Sequence, residues 1–236
     1  MSDKPLTGQL ALVTGASRGI GAATAKALGA KGAHVVLTAR TTGGLEEVEE
    51  AIHAAGGSAT IAPLDLVEGD GIARLADAIA GRWQALDILV LNAAILGTLG
   101  QVAAIEQKQL AKVLALNVNA QVALLGAFDP MLRKSGNARV IGLTSKVAQT
   151  ARAYWGEYAA SKAAFEVMLR CYGDEVAGIS PIRVALVDPG ATRTVMRARA
   201  YPGEDPASVK DPEIVGDHIA GLILRDFETG HYETIG

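Results

Sequence analysis

The sequence predicts an α/β protein: a single domain, residues 1–236, in which a doubly wound parallel sheet is covered by helices on both faces. Three observations lead there. The length is that of one domain. Half of the residues are hydrophobic and 20% are charged, which supplies a full core and excludes wholesale disorder. Apolar runs of strand length alternate with Ala-rich stretches of helical length, the rhythm of successive βαβ units in a three-layer α/β/α sandwich.

Taken in order, Gln9 to Thr14 is the first apolar run of strand length and Gly19 to Lys31 the first helical stretch. His34 to Ala39 and Leu45 to Ala55 repeat the pair, as do Ala59 to Leu64 and Gly69 to Arg82. Leu86 to Leu91 is apolar almost throughout, which suits a parallel strand buried on both faces. A long helical region from about Gln107 to Leu132 precedes a strand at Arg139 to Ser145. A helix from about Glu157 to Val176 and a strand at Arg183 to Val187 follow. From Ala191 to Pro212 the rhythm stops, and the chain carries Arg193, Arg197, Arg199, Tyr201, Pro202, Gly203, Glu204, Asp205 and Pro206. A loop of that length is commonly a lid over a binding site; a solvated excursion is the plainer alternative. There is no internal repeat, low-complexity tract or linker.

Charge and composition narrow the partners. A formal net charge of -3, from 22 basic and 25 acidic side chains, is too balanced for nucleic acid or an anionic membrane, and no basic run or aromatic RNA-binding motif is present. Apolar runs are broken short of the roughly 18 residues of a membrane span, and Met1-Ser2-Asp3-Lys4-Pro5 lacks the apolar stretch of a signal peptide, so a soluble, cytoplasmic protein is expected. The single cysteine, Cys171, excludes an intrachain disulfide framework, and the four histidines are too dispersed for common zinc spacings. Twenty-seven glycines with 4% aromatics suit close helix-on-sheet packing and backbone that approaches a ligand.

After the first strand comes Thr14-Gly15-Ala16-Ser17-Arg18-Gly19-Ile20-Gly21. Glycines at a strand-to-helix turn let backbone approach a pyrophosphate, and the N–H groups opening the helix attract its charge. Tight strand–helix packing alone is the competing explanation. The same residues also spell the G-x-S-x-G of a hydrolase nucleophile elbow, but that elbow follows a central strand with others before it, and only a few polar residues precede Gln9. The second strand ends Thr38-Ala39-Arg40-Thr41, with no carboxylate for a ribose 2'-hydroxyl until Glu46. Arg40 and Arg18 would instead neutralise a 2'-phosphate, which points to NADP(H); a solvated arginine at a strand end is the alternative.

Tyr158 and Lys162 lie four apart on an expected helix and share a face. A phenol, with an ordinary pKa of about 10, becomes a useful acid or base when a neighbouring ammonium stabilises its phenolate. Ser145 falls at the carboxyl end of its strand, the rim where open parallel sheets bind ligands, and its hydroxyl would either donate to a substrate carbonyl or cap a turn. Asn117 is an amide within an apolar helix; it would hold a water beside the lysine or satisfy backbone groups at a bend.

Together these segments resemble the short-chain dehydrogenase/reductase family over Leu10 to Thr194. Gly15, Ser17, Arg18, Gly19, Ile20 and Gly21 match its cofactor loop. Asn117, Ser145, Tyr158 and Lys162 match its catalytic tetrad, and Asp188-Pro189-Gly190 with Thr192 and Thr194 matches its nicotinamide-holding segment. The resemblance implies a Rossmann-type fold binding NADP(H), with Asp65 at the adenine and Leu66 beside it. It also implies that Asn92, Ala93 and Ala94 line the cofactor and that Lys162 grips the nicotinamide ribose; Ala94 stands where the family usually has glycine. Where members commonly end in an apolar strand and a glycine pair, this chain runs from Thr229 to Gly236 through polar residues, so a short or missing last strand is expected.

The implied reaction is reversible hydride transfer between NADP(H) and a small-molecule carbonyl or alcohol. In it Tyr158 is the general acid, Ser145 polarises the carbonyl, Lys162 lowers the tyrosine pKa and Asn117 supports a water that replaces the proton. A non-catalytic NADP(H)-binding regulator or scaffold is the alternative, and the intact tetrad argues against it. Arg193, Arg197 and Arg199 are candidates to meet an anionic substrate, and Arg152-Ala153-Tyr154-Trp155-Gly156 offers aromatic surface beside the site. Acyl thioesters, small ketones, sugars and quinones all remain open as substrates. The helix carrying Ala159, Ala160, Ala163, Ala164, Phe165, Val167 and Met168 is apolar around most of its circumference, so a homodimer or homotetramer is expected.

Overall fold

The computed structural model describes residues 4–236. Seven strands form its sheet: β1 (Leu10–Thr14), β2 (His34–Ala39), β3 (Ser58–Pro63), β4 (Ile88–Leu91), β5 (Arg139–Leu143), β6 (Arg183–Asp188) and β7 (His231–Thr234). They lie in the order β3-β2-β1-β4-β5-β6-β7, and every neighbouring pair is parallel. The order reverses between β1 and β4, and there the connections leave toward opposite faces and open a crevice at the carboxyl ends.

Alternation along the strands feeds two cores. Ala11, Val13, Ile88 and Val90 face one side with α1 (Gly19–Ala30), α2 (Thr42–Ala54) and α8 (Pro212–Leu224). Leu10, Leu12, Leu89 and Leu91 face the other with α3 (Gly71–Ala80), α5 (Ala120–Leu132) and α6 (Gly156–Val176). Both sides of β1 and β4 are thus covered, which is why these runs are apolar almost throughout. The high glycine content has a local cause where α1 crosses α8: a Cβ on Gly216 would stand 2.5 Å from the Ala23 carbonyl carbon.

Three regions refine or correct the sequence reading. The long helical region is α4 (Gln107–Leu114), a π-helical turn at Ala115–Asn119, and then α5. The extra residue in that turn swings Asn117 inward, and such turns are common at functional sites. Joined together, Gln107–Leu132 spans 26 residues with a mean hydropathy of 1.4 in its most apolar window, long and apolar enough to cross a membrane; the reading of broken runs missed this. Here Leu124 and Phe128 of that run are buried in the core beside Phe165 and Leu169 of α6.

The C-terminal strand is present but short, the first of the two outcomes expected: four residues pair with β6, from Ala185↔His231 to Asp188↔Thr234. Tyr232 packs into one core and Ile235 into the other, so two apolar anchors suffice for an otherwise polar edge. The stretch from Ala191 to Pro212 is not a continuous loop. It holds α7 (Val195–Ala200) and a 3-10 turn at Pro206–Ser208, and a bridge between Thr192 and Lys210 closes its base.

Candidate active site

The glycine loop sits at the point where the strand order reverses. Thr14 ends β1, and its Oγ1 accepts hydrogen bonds from the backbone N–H groups of Asn92 and Ala93 while donating to the Val90 carbonyl. Asn92 Nδ2 donates to the Thr14 carbonyl at 2.8 Å and to the Gly15 carbonyl at 3.3 Å. Asn92 therefore fastens the end of β4 to the loop, and its side-chain donors are spent on the scaffold. Ala94 is accommodated without left-handed backbone, since Tyr154 is the only non-glycine residue with positive φ among the described residues.

The loop fits a dinucleotide. Gly15 has a φ of +65°, and a Cβ there would stand 2.9 Å from Asn92 Nδ2; on Gly21 it would stand 2.3 Å from the Gly15 carbonyl oxygen. These contacts are the tight strand–helix packing the sequence also allowed, and they bring the loop backbone and the start of α1 together where a pyrophosphate would lie. Arg18, which precedes α1, makes no side-chain capping bond, and the first turn of α1 has no acidic residue, so its N–H groups remain available to an anion. Arg40 follows β2 with an exposed side chain and only a loose 4.0 Å pairing with Asp65, and Arg18 is exposed as well. Across the crevice, Thr194 Cγ2 would lie 3.3 Å from a Cβ on Gly19, so the segment after β6 closes against the glycine loop. In that segment Gly190 has a φ of +62°, Thr192 is buried and donates to the Pro189 carbonyl, and Thr194 caps α7 by accepting from Arg197 N–H.

Tyr158 and Lys162 lie one turn apart on α6, 8% and 4% exposed. Lys162 Nζ donates to the Leu143 carbonyl at the end of β5 over 2.7 Å. This pins α6 to the strand end that carries Ser145. Ser145 precedes a 3-10 turn at Lys146–Ala148 but gives it no side-chain capping bond, so the capping alternative is not realised and the hydroxyl is not spent on the turn.

Asn117 adopts the backbone-satisfying role. Its Oδ1 accepts from Ile95 N–H and its Nδ2 donates to the Ile95 carbonyl and to Ser161 Oγ, each at 2.9 Å. Ser161 in turn donates to the Tyr158 carbonyl at 2.8 Å. One buried amide thus links the strand β4 exit to the helix turn that presents Tyr158 and Lys162.

The electrostatics correct one expectation. Burial pushes the Tyr158 phenol above its ordinary value, with the nearby Asp188 carboxylate adding to the shift, so the lysine does not lower it in this state. The geometry supplies the reason: Lys162 Nζ is bonded to a backbone carbonyl and lies 5.9 Å from the phenol ring centroid. Burial also lowers Lys162 to about 8, opposed by the Glu166 carboxylate. Tyr158 is accordingly held protonated, and Lys162 is a cation whose pKa burial brings down to about 8.

The sequence reading passed over Ser161, Glu157, Glu166 and Thr144. Glu166 lies one turn beyond Lys162, 5% exposed, and Thr144 donates to its Oε1 at 2.5 Å. Glu157 Oε2 accepts from Thr98 N–H at 3.0 Å, tying the loop after β4 to the start of α6. The available signal was spacing: Glu166 shares the face of Tyr158 and Lys162 at successive four-residue steps.

The fold and the sequence resemble those of known proteins. The family profile described as short chain dehydrogenase matches residues 9–205. The chain is 36% identical over 210 residues to the uncharacterized oxidoreductase YciK of Escherichia coli K12, covering 88% of this chain and 82% of that protein. Among solved structures, a short chain dehydrogenase from Shigella flexneri 2a, complexed with NADP, superposes with a TM-score of 0.94 at 34% identity over 99% of both chains. A short chain dehydrogenase from Escherichia coli CFT073, complexed with NADPH, gives 0.93 at 34% identity, again over 99% of both chains.

Proposed function

Because the chain belongs to the short-chain dehydrogenase/reductase family, an oxidoreductase family, we propose that it reduces a small-molecule carbonyl to an alcohol with NADPH, and runs the reverse reaction with NADP+. The observation that carries this reading is the pair of buried side chains Tyr158 and Lys162, one helical turn apart and tied to the strand end beside Ser145. NADPH bound over the glycine loop would supply the hydride to the carbonyl carbon. Exposed Arg40 and Arg18, with no carboxylate in the first turn of α2, support a phosphorylated ribose over a plain one.

The chain's own groups manage the proton. Tyr158, held protonated by burial, donates from its hydroxyl to the carbonyl oxygen as negative charge develops there. Ser145 donates a hydrogen bond to the same oxygen and fixes the carbonyl's orientation. Once Tyr158 has given up its proton, the ammonium of Lys162 stabilises the phenolate. Asn117 acts through Ser161 to keep the turn in register. The segment from Ala191 to Pro212 serves as the lid, hinged at the Thr192–Lys210 bridge.

Tyr158→Phe tests the assignment. Loss of at least about a thousandfold in NADPH oxidation with retained NADPH binding is expected, and undiminished turnover would remove Tyr158 from the role. Arg40→Asp is expected to weaken NADPH binding about tenfold or more while leaving NADH binding nearly unchanged, read by fluorescence titration. Val122 of α5 and Val167 and Met168 of α6 are exposed on helices that cover the same side of the sheet, which supports association with a second copy of the chain; light scattering at micromolar concentration would detect this as a dimer or larger.

A further inference from the structure

The three lid arginines expected to meet an anionic substrate are mostly committed elsewhere. Arg193 pairs with Asp211, and Arg197 makes two hydrogen bonds to Glu204, at 2.6 and 2.5 Å. Arg199 is exposed on α7. A different arginine, Arg152, reaches toward Tyr158 through Trp155.

Arg152 belongs to the loop that leads into α6. Its guanidinium lies 5.4 Å from the Trp155 ring centroid and 5.2 Å from that of Tyr201, and it donates to the Tyr201 hydroxyl. Trp155 meets the Tyr158 ring edge-on at 6.1 Å and the Tyr201 ring at 5.7 Å. Arg197 covers Tyr201 at 3.6 Å. An aromatic and cationic stack therefore runs from the lid to the catalytic phenol. Among the described residues no carboxylate lies within ion-pair distance of Arg152, so its charge is held by aromatic rings and one phenol hydroxyl. Lys146, exposed and next in the chain after Ser145, likewise has no ion-pair partner there. Glu157 and Glu166, the nearest acids in the chain on α6, are buried and bonded to Thr98 and Thr144.

The backbone leading into the stack is also unusual. Tyr154, between Arg152 and Trp155, has a φ of 72°, a strained conformation for a tyrosine. Its carbonyl accepts from Gly100 N–H at 2.9 Å, and Trp155 bridges to Gly100. This left-handed residue immediately precedes Trp155, whose ring meets Tyr158.

We infer that Arg152 and Trp155 form the substrate's recognition subsite, and that the carbonyl compound reduced at Tyr158 carries an anionic group, a carboxylate or phosphate, on a flat or apolar body. The body lies along Trp155, the anion takes a bidentate pair of N–H donors from Arg152, and Tyr201 of the lid yields its hydrogen bond to the arriving anion. This rests on the carbonyl reductase reading above.

The test uses 4-carboxybenzaldehyde and its uncharged methyl ester, two aldehydes of the same framework. In both, hydride from NADPH goes to the carbonyl carbon and a proton to its oxygen, giving the benzylic alcohol and NADP+. The acid is expected to exceed the ester at least tenfold in kcat/KM. Arg152→Gln should remove that preference mainly through KM, Arg152→Lys should restore part of it, and Arg152→Glu should leave the ester ahead. A latch that merely holds the lid would lower both substrates together, and equal handling of acid and ester by the unaltered protein would overturn the inference.

Binding is read separately, by quenching of Trp155 fluorescence in a Trp83→Phe background loaded with NADP+. Arg152-dependent quenching by the acid without turnover of either aldehyde would sustain the subsite while refuting the reductase reading. Absence of both the quenching and the acid preference would refute the subsite.

Discussion

The glycine loop and the proposed substrate mouth of this crevice are built by different means. Around the glycine loop, side chains bond directly to backbone and leave no room to vary: Thr14 Oγ1 accepts from Asn92 N–H, Asn92 Nδ2 donates to the Thr14 and Gly15 carbonyls, and glycines stand where no Cβ fits. At the mouth, Arg152, Trp155, Tyr201, Arg197 and Glu204 come from two segments far apart in sequence and meet through side-chain faces and charges. Backbone constraints tolerate almost no substitution, whereas exposed stacked side chains exchange at modest cost. The fold can therefore keep one cofactor site while its mouth is altered residue by residue.

The largest expected effect lies at the glycine loop. Gly21→Ala puts a methyl group 2.3 Å from the Gly15 carbonyl oxygen, and backbone on both sides must shift. A loss of about 3 kcal/mol in stability, typical of overpacking, is expected together with loss of NADPH binding. Gly221→Ala on α8 is the control: nothing lies within 4 Å of its added Cβ, so a helix-propensity gain of about 0.5–1 kcal/mol is expected. Thermal melts and NADPH titration check both, and equal behaviour of the two variants would break the comparison.

Glu166→Gln lies between the two regions and acts on pH dependence. The carboxylate opposes the burial that lowers Lys162 to about 8, so its removal lowers Lys162 further. If the proposed carbonyl reduction uses the ammonium, its rate is expected to fall as pH rises through about 8 in the unaltered protein and at a lower pH in the variant. Stability moves the other way. Between about 8 and the ordinary 10.5 the unfolded chain holds a proton that folded Lys162 has released, so this group makes folding more favourable as pH rises through that window. A pH–rate profile unchanged by Glu166→Gln would leave the carboxylate with only its structural contacts to Thr144, Gln149 and Arg170.

The same contrast explains what was legible in the sequence. Regular apolar runs declared the sheet, because strands buried on both faces have no polar alternation to obscure them. Glycine spacing and the Tyr158 to Lys162 interval declared the site, because each is a local relation along the chain. The π turn that redirects Asn117 left no such mark: its sequence continues an apolar helix, and the inward turn is matched by Ile95, twenty-two residues earlier. β7 was obscured for another reason, since two anchors, Tyr232 and Ile235, secure a strand whose other residues are polar. The pairing of Arg197 with Glu204 and the stacking of Arg152 on Tyr201 depend on tertiary placement, so the charges of the lid could be counted in the sequence but not assigned.

The smallest expected effect is at the mouth. Arg197→Met removes the guanidinium from the face of Tyr201 and both hydrogen bonds to Glu204, yet leaves the Thr192–Lys210 bridge and the cap from Thr194 intact. Side chains on both partners are about a quarter exposed, so water competes for every contact that is lost. The melting temperature is expected to move by less than about 3 °C. Tyr201 would then be held by Arg152 and Trp155 alone, and the acidic aldehyde should bind more weakly, raising KM about threefold with kcat retained. A large fall in melting temperature would show that α7 belongs to the rigid frame after all, and that the mouth is constrained as tightly as the glycine loop.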